Sequence, residues 1–93
     1  MNVNFNKALY QLDKGMYEEA EVNICKAIAE CTNKYELLQM KCCYAELLYE
    51  LDRYDEAMKC VIYILDNTDE YDKGFERETA LEIKNCIEEE GIE

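Results

Sequence analysis

The chain has 93 residues, of which 49% are hydrophobic and 34% are charged, and its formal net charge is −12. This length supports one domain, because two separate cores would each be too small for stability, and the hydrophobic fraction excludes a wholly disordered chain. No apolar run approaches the length of a membrane span, and a pI near 4.3 argues against direct binding to nucleic acid.

Two absences narrow the chemistry. The chain has no histidine, which removes the commonest general base and the commonest metal ligand. No pair of carboxylates stands out from the dense acidic pattern, so we expect no catalysis, no cofactor and no metal site. Proline is also absent and glycine occurs only three times, which favours long helices joined by short connections.

Hydrophobic residues recur at helical spacing along the chain and predict five helices. Their predicted bounds are residues 3–14, 17–31, 34–51, 54–66 and 75–90. In the first helix the predicted apolar stripe consists of Phe5, Ala8, Leu9 and Leu12. Gly15 ends that helix, because glycine readily adopts the left-handed conformation that lets the chain reverse.

The later helices carry signals of their own. Glu18 and Glu19 open the second helix, where acidic side chains suit the positive end of the helix dipole. Asn33 and Glu36 form a predicted capping box at the start of the third. The last helix has one narrow apolar stripe, which predicts a position at the edge of the fold. Its members are Phe75, Thr79, Ile83, Cys86 and Ile87.

An internal repeat becomes visible when these segments are aligned. The sequence of residues 15–20 recurs 37 residues later in modified form as residues 52–57. Several small or apolar positions repeat with it, pairing Ala8 with Ala45, Ala20 with Ala57, Ile24 with Val61 and Ala27 with Ile64. Tyr17 and Tyr54 occupy equivalent places just after each turn.

This pattern resembles the tetratricopeptide repeat, a unit of two antiparallel helices. The resemblance implies an all-α fold, a short α-solenoid of antiparallel helix-turn-helix repeats in a single domain of residues 1–93. Repeat one spans about 3–31, repeat two about 34–66, and a capping helix about 75–90. The chain departs from the family pattern in its longer spacing and in having Thr32 where a closing proline is usual. An unrelated five-helix bundle is the alternative.

The resemblance also implies a binding surface. Tetratricopeptide arrays bind protein segments along the inner face formed by the first helix of each pair. In the second repeat this face would carry Gln39, Cys42, Glu46, Tyr49 and Glu50, and in the capping helix Glu78, Asn85, Glu88 and Glu89. The family's clamp for a peptide carboxylate uses lysine, asparagine and arginine there. Those residues are missing, so binding of chaperone tails is not implied.

Charge indicates the kind of partner. Residues 66–93 hold 11 acidic and 3 basic side chains. We therefore predict a non-catalytic protein-interaction module that binds a basic protein surface or peptide through an acidic helical face. The alternative function is an acidic mimic of nucleic acid that blocks a nucleic-acid-binding protein, as phage anti-defence and anti-CRISPR proteins do. Self-association through the ends of the array, and a charge that serves only solubility, also stay open.

Six cysteines are many for this length. The N-terminal residues lack the basic start and apolar core of a secretory signal, so we expect a cytoplasmic protein with reduced thiols. Three disulfides are the alternative that an even count leaves open. Zinc is not expected, because no Cys-x-x-Cys pair occurs.

Overall fold

A computed structural model describes residues 2–91, and these residues form five α-helices and no β-strand. The helices are α1 (Val3–Asp13), α2 (Tyr17–Glu30), α3 (Lys34–Glu50), α4 (Tyr54–Asp66) and α5 (Glu76–Gly91). The predicted all-α class is confirmed, and each predicted helix end agrees to within one residue. Over the described residues, no helix combines the length and the apolar character needed to cross a lipid bilayer.

The chain divides into two compact units, one ending at Met40 and the other beginning at Lys41. The first unit contains α1, α2 and the start of α3. The second contains the rest of α3 together with α4 and α5. The assignment of residues 1–93 to a single domain stays a prediction.

In the first unit, α1 packs against α2. Ala8, Ala20, Ile24 and Ala27 are all 0% exposed. Alanines at such positions let two helices approach closely, because no side chain separates the backbones. The start of α3 is capped as predicted, since Asn33 Oδ1 accepts the backbone N–H of Glu36 at 3.0 Å.

The buried stripe of α1 differs from the prediction at one position. Leu9 is 41% exposed, whereas Gln11 is only 8% exposed. Gln11 is buried because its Oε1 accepts a hydrogen bond of 2.7 Å from Asn23 Nδ2 on α2. This bond satisfies two polar side chains that would otherwise be costly to bury. The placement of Leu9 in the core was therefore wrong.

In the second unit, α4 packs against α5. Ala57, Val61 and Ile64 are 0% exposed on α4, and Ala80 is 0% exposed on α5. Small side chains are therefore buried on both helices, together with the branched side chains of Val61 and Ile64 on α4. Ile83, 7% exposed, extends the buried stripe along α5.

The predicted stripe of α5 was wrong at two of its members. Phe75 is 78% exposed and precedes the first residue of the helix, and Cys86 is exposed. The buried side of α5 is centred on Ala80 and Ile83. At about 100° per residue, Phe75 and Cys86 lie roughly 90° or more from that centre. They therefore fall outside the contact with α4.

The turn between α1 and α2 has a defined hydrogen-bonding pattern. Gly15 has φ +75°, in the left-handed region that favours glycine. The N–H of Met16 donates to the carbonyl of Gln11 at 2.8 Å, and the N–H of Gly15 donates to the carbonyl of Leu12 at 3.1 Å. These two bonds form a Schellman motif, which satisfies carbonyls left over at the end of α1.

The turn between α3 and α4 repeats this geometry 37 residues later. Asp52 has φ +60°, the equivalent of Gly15. The N–H of Arg53 donates to the carbonyl of Leu48 at 2.9 Å, and the N–H of Asp52 donates to the carbonyl of Tyr49 at 3.0 Å. The two turns therefore share a backbone conformation and a hydrogen-bonding pattern.

We expect Gly15→Ala to lower the free energy of unfolding by about 1 kcal/mol, because a side chain is disfavoured in the left-handed region. A Cβ at this position would meet no atom within 4 Å, so the cost is one of backbone conformation. Gly15→Asn should cost less, since asparagine adopts this conformation more readily. Chemical denaturation measures the difference. Lys14→Ala is the control, and an equal loss there would contradict the explanation.

Candidate functional site

One side of α3 lies beside one side of α5 in the second unit. The residues that interact there are named the α3–α5 strip. Its members are Cys42, Glu46 and Tyr49 on α3, and Thr79, Glu82, Cys86 and Glu90 on α5. On each helix the members are three or four residues apart, so they share one face.

The contacts in the α3–α5 strip follow the same order along both helices. Near the start, the Thr79 hydroxyl lies within hydrogen-bonding reach of the Cys42 sulfur. Further on, the carboxylates of Glu46 and Glu82 are close enough to repel each other. Tyr49 comes next on α3, and its hydroxyl lies within hydrogen-bonding reach of Glu90 near the end of α5. The two helices therefore run in the same direction.

The two adjacent thiols of α3 are protonated at neutral pH. Cys42 is 8% exposed, and burial, with a smaller contribution from the charge of Glu46, raises its pKa to about 12. Burial and the same carboxylate raise the pKa of Cys43 to about 11. Because the thiolate is the nucleophile and the metal ligand, these cysteines are poorly suited to either role.

Glu46 lies near two other carboxylates in and beside the α3–α5 strip. Partial desolvation raises its pKa first, and the negative charges of Glu82 and Glu50 raise it further. Each of these charged neighbours is itself a carboxylate. The strip therefore carries repulsion between like charges, which a positively charged partner would relieve.

Two tyrosine rings lie at the far end of the α3–α5 strip. The ring centroids of Tyr49 and Tyr54 are 5.4 Å apart, and their planes are tilted by 37°. The Tyr54 hydroxyl donates to Asp52 Oδ1 at 3.0 Å. Hydrogen bonding to Glu90, and then to Asp52, raises the pKa of Tyr54, while partial burial and Glu90 raise that of Tyr49 to about 12. Both hydroxyls therefore stay protonated and point to carboxylates.

The structure places the predicted binding residues in different environments. Cys42 is buried, Tyr49 is half-buried, and Glu46 is exposed within the α3–α5 strip. Glu50 is exposed and acts on Glu46. The remaining predicted residues are all exposed, namely Gln39, Glu78, Asn85, Glu88 and Glu89.

The predicted residues of α5 are displaced around the helix from most of the side that meets α3. Glu78, Asn85 and Glu89 lie roughly 80° or more from Thr79 and Glu90, but only about 20° to 60° from Glu82. Glu88 pairs instead with Lys84 of its own helix, at 3.5 Å. Glu78, Asn85 and Glu89 therefore border the strip, and the two glutamates add negative charge next to it.

Sequence reasoning missed the four α5 residues that interact with α3, which are Thr79, Glu82, Cys86 and Glu90. Thr79 and Cys86 were placed in the apolar stripe, and the two glutamates were not singled out. Their spacing of three, four and four residues was nevertheless visible in the sequence. Helical periodicity applied to polar residues would have found this second face.

The described residues were compared with the arrangements that bind metal ions or form disulfides. Within residues 2–91, no three acidic, cysteine or histidine side chains are arranged to hold a metal ion. None of the six cysteines is in a disulfide.

Searches against protein-family models, curated proteins and solved structures find no match to this chain.

We expect Glu46→Gln to stabilise the protein at neutral pH by roughly 0.3 to 0.5 kcal/mol, the range for like charges on a helix. The folded-state pKa of Glu46 is raised, so folding favours its protonated form. That favourable contribution is complete below the ordinary pKa of 4.5 and is lost as the pH rises through the folded value. The advantage of the variant should therefore disappear in acid.

Thermal unfolding between pH 3 and 7 measures this effect. Glu89→Gln is a matched control, because it removes one carboxylate from the neighbouring side of α5. A gain from Glu46→Gln that does not change with pH would contradict the role assigned to Glu82 and Glu50.

Proposed function

We propose that this protein is a non-catalytic interaction module built on tetratricopeptide-like repeats, and that it binds a basic protein surface or peptide. The observation that carries the proposal is the repulsion among Glu46, Glu50 and Glu82 at the α3–α5 strip. A binding face that concentrates one sign of charge favours partners of the opposite sign.

The repeat architecture is supported by the two turns and by the small residues around them. Gly15 and Asp52 have the same backbone conformation and lie in the same hydrogen-bonding motif. Ala45, the equivalent of Ala8, is also 0% exposed. The common direction of α3 and α5 is what the first helices of successive tetratricopeptide units would have. The strip would then lie on the inner face that such arrays use for binding.

The distribution of charge supports the choice of partner. Residues 41–93 carry 16 acidic and 6 basic side chains, whereas residues 1–40 carry 6 and 4. The excess of negative charge is therefore in the part of the chain that contains the α3–α5 strip. Charge of this kind accelerates encounter with a basic partner, and salt screens it over about 8 Å at physiological ionic strength.

The test uses a variant in which four carboxylates of α3 and α5 become amides. The changes are Glu46→Gln, Glu50→Gln, Glu88→Gln and Glu89→Gln. Association with a short lysine- and arginine-rich peptide should slow by about tenfold, while helical content measured by circular dichroism stays the same. Binding of the unchanged protein should weaken steadily as salt is added.

A matched control removes four charges from the first unit instead. The control changes are Asp13→Asn, Glu18→Gln, Glu19→Gln and Glu36→Gln. If both variants slow association equally, total charge decides binding and the strip has no special role. Binding that is unaffected by salt would contradict the proposal itself, since the acidic side chains would then serve only solubility.

A further inference from the structure

We propose that Tyr49 and Tyr54, together with the carboxylates of Asp52 and Glu90, form a receptor for an arginine side chain of the partner. This inference rests on the proposed function and names the chemical group that the acidic surface would hold. The four residues come from the end of α3, the following turn, the start of α4 and the end of α5.

The two rings offer an aromatic surface that is neither fully buried nor fully exposed. Tyr49 and Tyr54 are both half-buried, with centroids 5.4 Å apart and planes tilted by 37°. Each residue therefore keeps part of its surface accessible to solvent. An aromatic face attracts a cation placed within about 6 Å of its centroid.

Two other tyrosines of this chain form cation–π contacts with lysine side chains. Lys14 Nζ lies 5.6 Å from the ring centroid of Tyr10, and Lys41 Nζ lies 5.1 Å from that of Tyr63. In the described part of the chain, neither of these cation–π contacts involves the ring pair. The tyrosine pair differs from these two in that its hydroxyls lie beside the carboxylates of Asp52 and Glu90.

The carboxylates beside the rings are oriented by the rings themselves. Asp52 accepts the Tyr54 hydroxyl at 3.0 Å, and the Glu90 carboxylate lies within hydrogen-bonding reach of the hydroxyls of both tyrosines. A carboxylate has about four acceptor sites, so one or two bonds to hydroxyls leave others available. Negative charge is thus fixed at the edge of an aromatic surface.

This combination suits guanidinium better than ammonium. A planar guanidinium stacks on an aromatic face and donates forked hydrogen bonds to a carboxylate at the same time, whereas ammonium acts as a point charge. The same turn contains an example of the fork, since Arg53 donates from Nε and one terminal nitrogen to Glu56 at 2.7 and 2.9 Å. We therefore assign arginine as the anchor residue of the partner.

The experiment compares three capped peptides in which glycine alternates with arginine, lysine or citrulline. Citrulline has the shape of arginine without its charge. Isothermal titration should show the arginine peptide binding about fivefold more tightly than the lysine peptide, and the citrulline peptide binding most weakly. Backbone NMR shifts on adding the arginine peptide should be largest around the four receptor residues.

Tyr49→Leu is the diagnostic variant, because leucine keeps the apolar bulk and removes the aromatic face and hydroxyl. It should abolish the preference for arginine over lysine. Tyr10→Ala is the control, since Tyr10 is 61% exposed and lies in the first unit. Melting curves confirm that both variants are folded.

The outcomes separate this inference from the proposed function. Equal affinity for arginine and lysine peptides, unchanged by Tyr49→Leu but weakened by Glu46→Gln with Glu50→Gln, overturns the arginine receptor and leaves the basic partner in place. A failure of both cationic peptides to bind overturns the proposed function and this inference with it.

Discussion

Ala57→Arg is expected to lower the free energy of unfolding by about 3 kcal/mol or more, or to prevent folding. Ala57 is 0% exposed on α4, in the unit where α4 packs against α5. A long side chain has no space in a close-packed interior, and a buried charge without a partner adds a further cost. Circular dichroism and thermal melting measure the loss.

Ala29→Arg is the matched control, because Ala29 is an exposed alanine in α2. Arginine and alanine both favour helix, so this change should have little effect on melting. If Ala57→Arg melts at the temperature of the unchanged protein, the small-residue contact proposed for this position is wrong.

Gln11→Leu is expected to destabilise the first unit by about 1 to 3 kcal/mol. The change removes the acceptor of the 2.7 Å bond from Asn23, whose amide is left with only the longer bond of 3.3 Å to the carbonyl of Glu19. Among the residues that the structure describes, no buried side-chain nitrogen or oxygen lacks a hydrogen-bond partner. The variant would leave the buried Asn23 amide with incomplete hydrogen bonding.

The repeat supplies a compensating change. The positions 37 residues after Gln11 and Asn23 are Leu48 and Cys60, which are 1% and 5% exposed. The double variant Gln11→Leu with Asn23→Cys copies this apolar pair into the first unit. It should recover most of the stability, because replacing both partners of a buried hydrogen bond costs little.

A double-mutant cycle measured by denaturation tests this compensation. The single variants should each lose more stability than the double variant. Additive losses would show that Gln11 and Asn23 contribute independently, which the 2.7 Å bond between them does not allow.

Local sequence signals predicted the helix bounds well, but they did not predict burial that depends on contacts between helices. Gly15 and Asn33 mark a helix end and a helix start through their own backbone interactions, so both were predictable from sequence. The burial of Gln11 was not, because it depends on a partner twelve residues away on another helix. An isolated glutamine in an amphipathic pattern is normally read as exposed.

The candidate site was predictable on α3 and less so on α5. Glu46 and Tyr49 were named because the tetratricopeptide resemblance implies a binding face on α3, where these residues recur at helical spacing. Glu82 and Glu90 were missed because the rotation of α5 about its axis follows from the burial of Ala80, not from the charge pattern. Periodicity shows which residues share a face, but it does not show which face meets a neighbouring helix.

At position 52, the residue that best stabilises the fold differs from the residue that the proposed binding surface requires. Glycine occupies the equivalent position in the first turn. Glycine at position 52 would also lower the conformational energy of the turn, because it has no Cβ and readily adopts a φ of +60°. Asp52 instead provides a carboxylate to Tyr54. A screen that selects only for heat resistance would therefore favour Asp52→Gly and would, under the arginine-receptor proposal, discard part of the binding surface. Asp52→Gly should therefore raise the melting temperature and weaken binding of the arginine peptide.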